Sequence, residues 1–136
     1  MDKKTASEMA GKFLELLFSN YDAAAEMMSD DFVWENLLPK HIPFGRSYKG
    51  VAELKVYVDE LAAAWTLGEI VFHDYIYDPE TRILAIPGVE KGGTALSTGR
   101  SCDMDFIWEF RFTDEGKICY VREYNDTNAI AETFDR

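Results

Sequence analysis

The sequence predicts an α+β domain in which helices come first and cover one face of a sheet built after them. Apolar residues recur at three- and four-residue spacing as far as Trp65. From Glu69 onward the period falls to two, as in strands. The strand-like segments are joined by connections too short for parallel crossovers, so they read as an antiparallel meander. A chain of 136 residues fits one domain, spanning 1–136.

Each element has its own signal. Thr5-Ala6-Ser7-Glu8 has capping-box spacing, and Met9, Phe13, Leu16 and Leu17 then form one apolar stripe on a helix ending near Ser19-Asn20. Asp22 is placed to cap a short helix from Ala23 to Met28. Asp30-Asp31 leads into Phe32-Val33-Trp34-Glu35-Asn36, whose bulky residues alternate as in a strand, and a loop with Pro39, His41, Pro43 and Gly45 follows. Val51, Leu54, Val58, Leu61, Ala62 and Trp65 define the clearest helix, between Gly50 and Gly68. Strands are expected near 69 to 78, 81 to 88, 97 to 113 and 117 to 126, punctuated by Asp78-Pro79, Gly88, Gly92-Gly93 and Asp114-Glu115-Gly116. Asp126 and Thr127 cap a last helical segment, Asn128 to Phe134.

The last two strands form a long hairpin. Met104, Phe106, Trp108, Phe110 and Phe112 share one face and must be covered, while Asp103, Asp105, Glu109 and Arg111 share the other, interrupted by Ile107. On the return strand the pattern does not decide which residues face inward. A two- or four-residue turn puts Glu123 on the face of Trp108, whereas a three-residue turn with a glycine bulge puts Arg122 and Tyr124 there. The first is favoured, because it leaves Arg122 outside near Asp105 or Glu109, where opposite charges need no desolvation. Cys119 would then lie too far from Cys102 for a disulfide, at least ~25 Å along the strand.

Composition excludes several functions. Fourteen Lys and Arg against 25 Asp and Glu give a net charge of −11, which repels nucleic acid and anionic membranes. No stretch has the ~18 apolar residues of a membrane span, and Met1-Asp2-Lys3-Lys4 leads into no signal-peptide core, so a cytoplasmic location is expected. Two cysteines and two distant histidines, His41 and His73, give no metal-ligand spacing, and no phosphate loop or dinucleotide fingerprint occurs. The expected chemistry uses side chains alone, with no metal and no cofactor.

Several motifs in this order resemble one family. They are Val33-Trp34-Glu35-Asn36, Gly45-Arg46-Ser47-Tyr48-Lys49-Gly50, Thr98-Gly99-Arg100, Gly116-Lys117-Ile118, and Arg122-Glu123-Tyr124-Asn125-Asp126-Thr127. Together they resemble the SnoaL-like branch of the nuclear transport factor 2-like (ketosteroid isomerase-like) superfamily. The resemblance implies a cone-shaped barrel, a strongly bent, mostly antiparallel (mixed) sheet wrapped around N-terminal helices with an apolar pocket. Members include ketosteroid isomerase, polyketide cyclases, scytalone dehydratase, limonene epoxide hydrolase, phenazine-biosynthesis proteins and non-catalytic binding modules. The base of ketosteroid isomerase would match Asn36, which is no base, and its oxyanion donors would fall near Lys12 or Phe13 and near Trp108. The Arg-x-Asp pair of limonene epoxide hydrolase is missing from Ile83-Leu84-Ala85-Ile86. Glu123 matches an acidic residue that faces the cavity in the hydrolase and phenazine branches.

The candidate catalytic residues are therefore Glu123, His41 and Asn36. Glu123 would act as an acid or base desolvated among aromatics, His41 as a proton shuttle at the mouth, and Asn36 as a group polarising a ligand oxygen. Trp34, Phe106, Trp108, Val121 and Asn125 are the expected ligand-binding residues. The expected function is acid/base chemistry, such as isomerisation, cyclisation or dehydration, on a small apolar or aromatic ligand of cyclic or polyketide-like kind. The alternative is a non-catalytic ligand-binding or assembly domain in which Glu123 only holds the cone together. Many relatives pair through the outer sheet face, which implies a homodimer here.

Overall fold

Asp2, rather than the Thr5 capping box, starts the first helix: its carboxylate accepts from the Thr5 amide at 2.8 Å. This comes from a computed structural model that describes residues 1–135. Helix α1 (Lys3–Ser19) buries Ala6, Ala10, Phe13 and Leu17, so two small alanines, rather than Met9 and Leu16, let it lie close to the sheet. Asn20 closes α1 and caps α2 (Tyr21–Glu26), taking the role expected of Asp22. Strand β1 (Met28–Glu35) and the short β2 (Ser47–Lys49) pair antiparallel and lead into α3 (Gly50–Ala64). Leu54, Tyr57 and Val58 are the buried residues of α3, whereas Val51 and Ala62, expected on the apolar stripe, are exposed.

The remaining strands are β3 (Trp65–Thr66), β4 (Glu69–Phe72), β5 (Ile76–Asp78), β6 (Ile83–Ala95), β7 (Ser101–Phe112) and β8 (Ile118–Asn125), followed by α4 (Thr127–Phe134). Asp126 caps α4, as its sequence position predicts. The expected 69 to 78 strand is broken at His73–Tyr75, while β6 runs through Gly88 and Gly92-Gly93, where an end was expected. A register shift between Glu90 and Gly93 absorbs the glycines without stopping the strand.

The eight strands form one curled, half-barrel sheet in the order β2-β1-β8-β7-β6-β3, with β4 and β5 also on β6. One pairing is parallel and not antiparallel: β1 runs alongside β8, with Trp34 opposite Val121 and Glu35 opposite Arg122. Short connections exclude parallel pairing only between neighbours in sequence, and β1 and β8 are separated by most of the chain. The core lies between the concave face and the helices, where Phe13, Phe32 and Phe110 meet with no exposure to solvent.

The hairpin reaches the favoured register by an unexpected route. Thr113 and Lys117 close a three-residue turn, with Gly116 at φ +82°, a conformation that favours glycine. Such a turn by itself would turn Glu123 outward. A bulge follows, however: Phe112 pairs with Ile118 but Arg111 pairs with Tyr120, leaving Cys119 over. The Cys119 thiol donates to the Arg111 carbonyl at 3.4 Å. The extra residue restores the pairing of Trp108 with Glu123 and of Glu109 with Arg122. Arg122 lies outside as expected, but it stacks over the Tyr124 ring, while Glu109 pairs with Arg111 and accepts from Tyr124.

Candidate functional site

A cavity of about 320 Å³ opens between the concave sheet face and helices α1, α3 and α4, a size suited to a small molecule. Leu14 and Phe18 of α1, Tyr57 and Leu61 of α3 and Ile130 of α4 line it, facing Trp34, Met104 and Trp108 of the sheet. Phe18, Leu67 and Phe72 line it and are also exposed, which marks where it meets solvent. Trp65 forms another wall, stacked on Phe134 and edge-on to Phe44.

Glu123 enters this cavity from β8. Its Oε2 accepts from the Tyr57 hydroxyl at 2.7 Å and from the Trp34 indole N–H at 3.0 Å. Removal from bulk water pushes its pKa up to about 7, and the nearby charge of Glu90 adds to the rise. The Tyr57, Trp34 and Trp108 donors oppose that rise by favouring the carboxylate. Among the described residues Glu123 has no salt-bridge partner, and open volume adjoins it, so it is not locked in an ion pair. Tyr57 is driven well above the ordinary tyrosine range, first by burial and then by the charge of Glu123, and so serves as a donor.

A second carboxylate lines the same cavity and was not anticipated. Glu90 of β6 is 5% exposed, and its Oε2 accepts from the Trp65 indole at 2.9 Å and from the Gly68 amide at 3.0 Å. Gly93 makes room for it, since a Cβ there would lie 2.3 Å from that oxygen and 2.4 Å from the Trp65 ring. The signal was present in sequence: Glu90 has the same two-residue phase as the buried Leu84 and Ile86. Reading Gly88 as a strand end hid it. Tyr57 was missed in a similar way, although it falls between Leu54 and Leu61 at helical spacing.

Of the expected site residues, Glu123, Asn36, Trp34, Trp108 and Asn125 come together in the cavity wall. Asn36 is 2% exposed, lies within hydrogen-bonding reach of Tyr57, and its Oδ1 has no hydrogen-bond partner. Phe106 and Val121 lie behind the wall. Phe106 stacks on Trp108 at 4.8 Å between centroids, and Val121 is wholly buried opposite Phe110. They support the site without lining it. His41 stands apart, in a separate surface hollow with Pro43, Glu60 and Phe134, and its Nε2 is 3.0 Å from Asp135. Its loop folds toward the C-terminal helix rather than over the cavity mouth. His73 is exposed in the break between β4 and β5.

Comparison with known proteins follows the same lines. A family model described as a SnoaL-like domain matches residues 13–121. The chain is similar in fold to an NTF2-like protein from Burkholderia xenovorans, with 18% identity, 99% of each chain covered and a TM-score of 0.81. It is also similar to a structure described as a SnoaL-like polyketide cyclase from Mesorhizobium loti (20% identity, 87% of this chain and 97% of that one, TM-score 0.65). A third similar structure is SalBIII, an epoxide hydrolase/cyclase-like enzyme in pyran ring formation in the polyether salinomycin (17% identity, 94% and 95% covered, TM-score 0.70). No curated protein matches the sequence.

Proposed function

We propose that this chain, which belongs to the SnoaL-like family, binds a small, largely apolar cyclic molecule and performs acid/base chemistry on it with Glu123. The observation that carries this reading is a carboxyl group in a largely apolar cavity with its pKa near 7. Such a group takes a proton as readily as it returns one at neutral pH, the balance that isomerisation, cyclisation or dehydration requires. Ionised Glu123 takes a proton from a carbon next to a carbonyl. Protonated Glu123 then delivers it to another carbon or to a leaving oxygen. Asn36 or Asn125 provides an amide N–H for the ligand oxygen, and Trp34 and Trp108 hold the ring. His41 has no part in this scheme, because it lies outside the cavity.

Hydrogen–deuterium exchange into 2-tetralone, followed by NMR in D2O, tests the proposal. The protein is expected to accelerate exchange next to the carbonyl, and Glu123→Gln to abolish the acceleration. Binding of the ring without accelerated exchange would leave the non-catalytic binding domain as the reading.

The outer sheet face supports a further proposal, a homodimer. Ile107 and Tyr124 are 46% and 43% exposed on adjacent strands and opposite one another in register. Light scattering is expected to give twice the 15.5 kDa chain mass. A species of single mass would refute it.

A further inference from the structure

The polar groups of the cavity are unevenly distributed in sign. Glu90 and Glu123 face it from two strands that flank β7, and Glu15 lies at its edge. No lysine, arginine or histidine is among the described residues that line it. The Trp34, Tyr57, Trp65 and Gly68 donors are all spent on the Oε2 atoms of the two carboxylates. A third acceptor, Oδ1 of the buried Asn36, has no donor at all. Reversing that amide would set its oxygen against the Tyr57 oxygen, whose proton already serves Glu123, so the acceptor would still lack a partner. Buried acceptors without donors are costly, and the charge of Glu90 disfavours ionisation of Glu123.

A positive charge on the ligand would relieve both costs. The walls are suited to it, because Trp34, Trp65 and Trp108 all line the same space and indole rings attract cations. We infer that the ligand is an organic cation, an apolar ring system carrying a protonated amine directed toward the acceptors of this wall, Glu90 foremost, and that the cavity discriminates against carboxylates and other anions. This rests on the cavity being the ligand site proposed above and deepens that reading. With no cationic side chain available to offset an enolate, the ligand's own ammonium would supply the compensating charge.

Three probes of nearly equal shape test it by calorimetry at pH 8: 1-naphthylmethylamine, 1-naphthalenemethanol and 1-naphthoate. The amine is expected to bind about tenfold more tightly than the alcohol, and the naphthoate more weakly than either. Glu90→Gln is expected to remove most of the amine's advantage over the alcohol. If that variant does not fold, the ranking on the unaltered protein decides alone. Equal binding of amine and alcohol, or tighter binding of naphthoate, would overturn the inference and leave the cavity's role as a ligand site standing. Failure of all three to bind would count against both. Exchange into neutral 2-tetralone remains a separate test of Glu123 chemistry.

Discussion

The Tyr57 hydroxyl and the Glu123 carboxylate, 66 residues apart in the chain, meet at 2.7 Å across the cavity. One comes from the buried face of α3 and the other from the end of β8, so this contact joins the helical layer to the sheet at the proposed reacting group. The bond favours ionised Glu123 against the burial that disfavours it. Tyr57→Phe should therefore raise the Glu123 midpoint by about one pH unit, as expected for losing a hydrogen bond to a charged group. Carbon-13 NMR of the glutamate side-chain carboxyls reads this directly, and an unchanged midpoint would show that Tyr57 exerts no such control.

Glu90 acts on Glu123 in the opposite direction. Its negative charge raises the Glu123 pKa, so Glu90→Gln should lower the midpoint in the same NMR titration. An unchanged midpoint would mean that Glu90 exerts no such influence on Glu123.

Glu123 also links stability to pH. Its folded pKa of about 7 lies above the ordinary value of 4.5, so between those limits the folded state holds more protons than the unfolded one. The corresponding stability is complete below about pH 4.5 and is lost as pH rises through 7, on the order of 3 kcal/mol at most. Urea unfolding of Glu123→Gln, compared with the unaltered protein at pH 5 and pH 8, should show the variant gaining in relative stability at the higher pH. A constant difference between the two would contradict a raised pKa.

Catalysis by Glu123 predicts a loss of rate without a loss of binding. Glu123→Gln should reduce 2-tetralone exchange by about 10²-fold or more, the usual contribution of a positioned acid or base. Exchange by the unaltered protein should rise with pH to a plateau above about 7, as the carboxylate forms. Retained exchange in the variant would assign the proton transfer to another group.

The packing beneath the site is also testable. Phe110 has no exposure and meets Phe13 edge-on at 6.4 Å, so Phe110→Ala should cost about 3–5 kcal/mol in urea unfolding. A cost below 1 kcal/mol would mean that the core collapses around the gap.

Local physics made much of this protein legible in its sequence. Period-two alternation on β7, helical spacing on α3, the Asp126 cap and the family motifs all depend on residues near one another in the chain, and each was recovered. Pattern and motif single out Glu123, Asn36, Trp34, Trp108 and Asn125, and all five line the cavity. The inward direction of Glu123, however, depends on the number of residues between Thr113 and Trp108's partner. A three-residue turn and the Cys119 bulge together produce the same parity that an even turn would have given. Alternation alone cannot separate those routes. Glu90 remained hidden because a strand can run through glycines when a bulge within it takes up the extra residue. His41 was misplaced because a loop's direction is decided by distant contacts, here with Asp135. Fold class, net acidity and most of the candidate residues that line the cavity follow from near-neighbour pattern and motif. The second carboxylate, the absence of a lining cation among the described residues and the pairing of Tyr57 with Glu123 follow only from tertiary structure, because each depends on which remote segments share one enclosed volume.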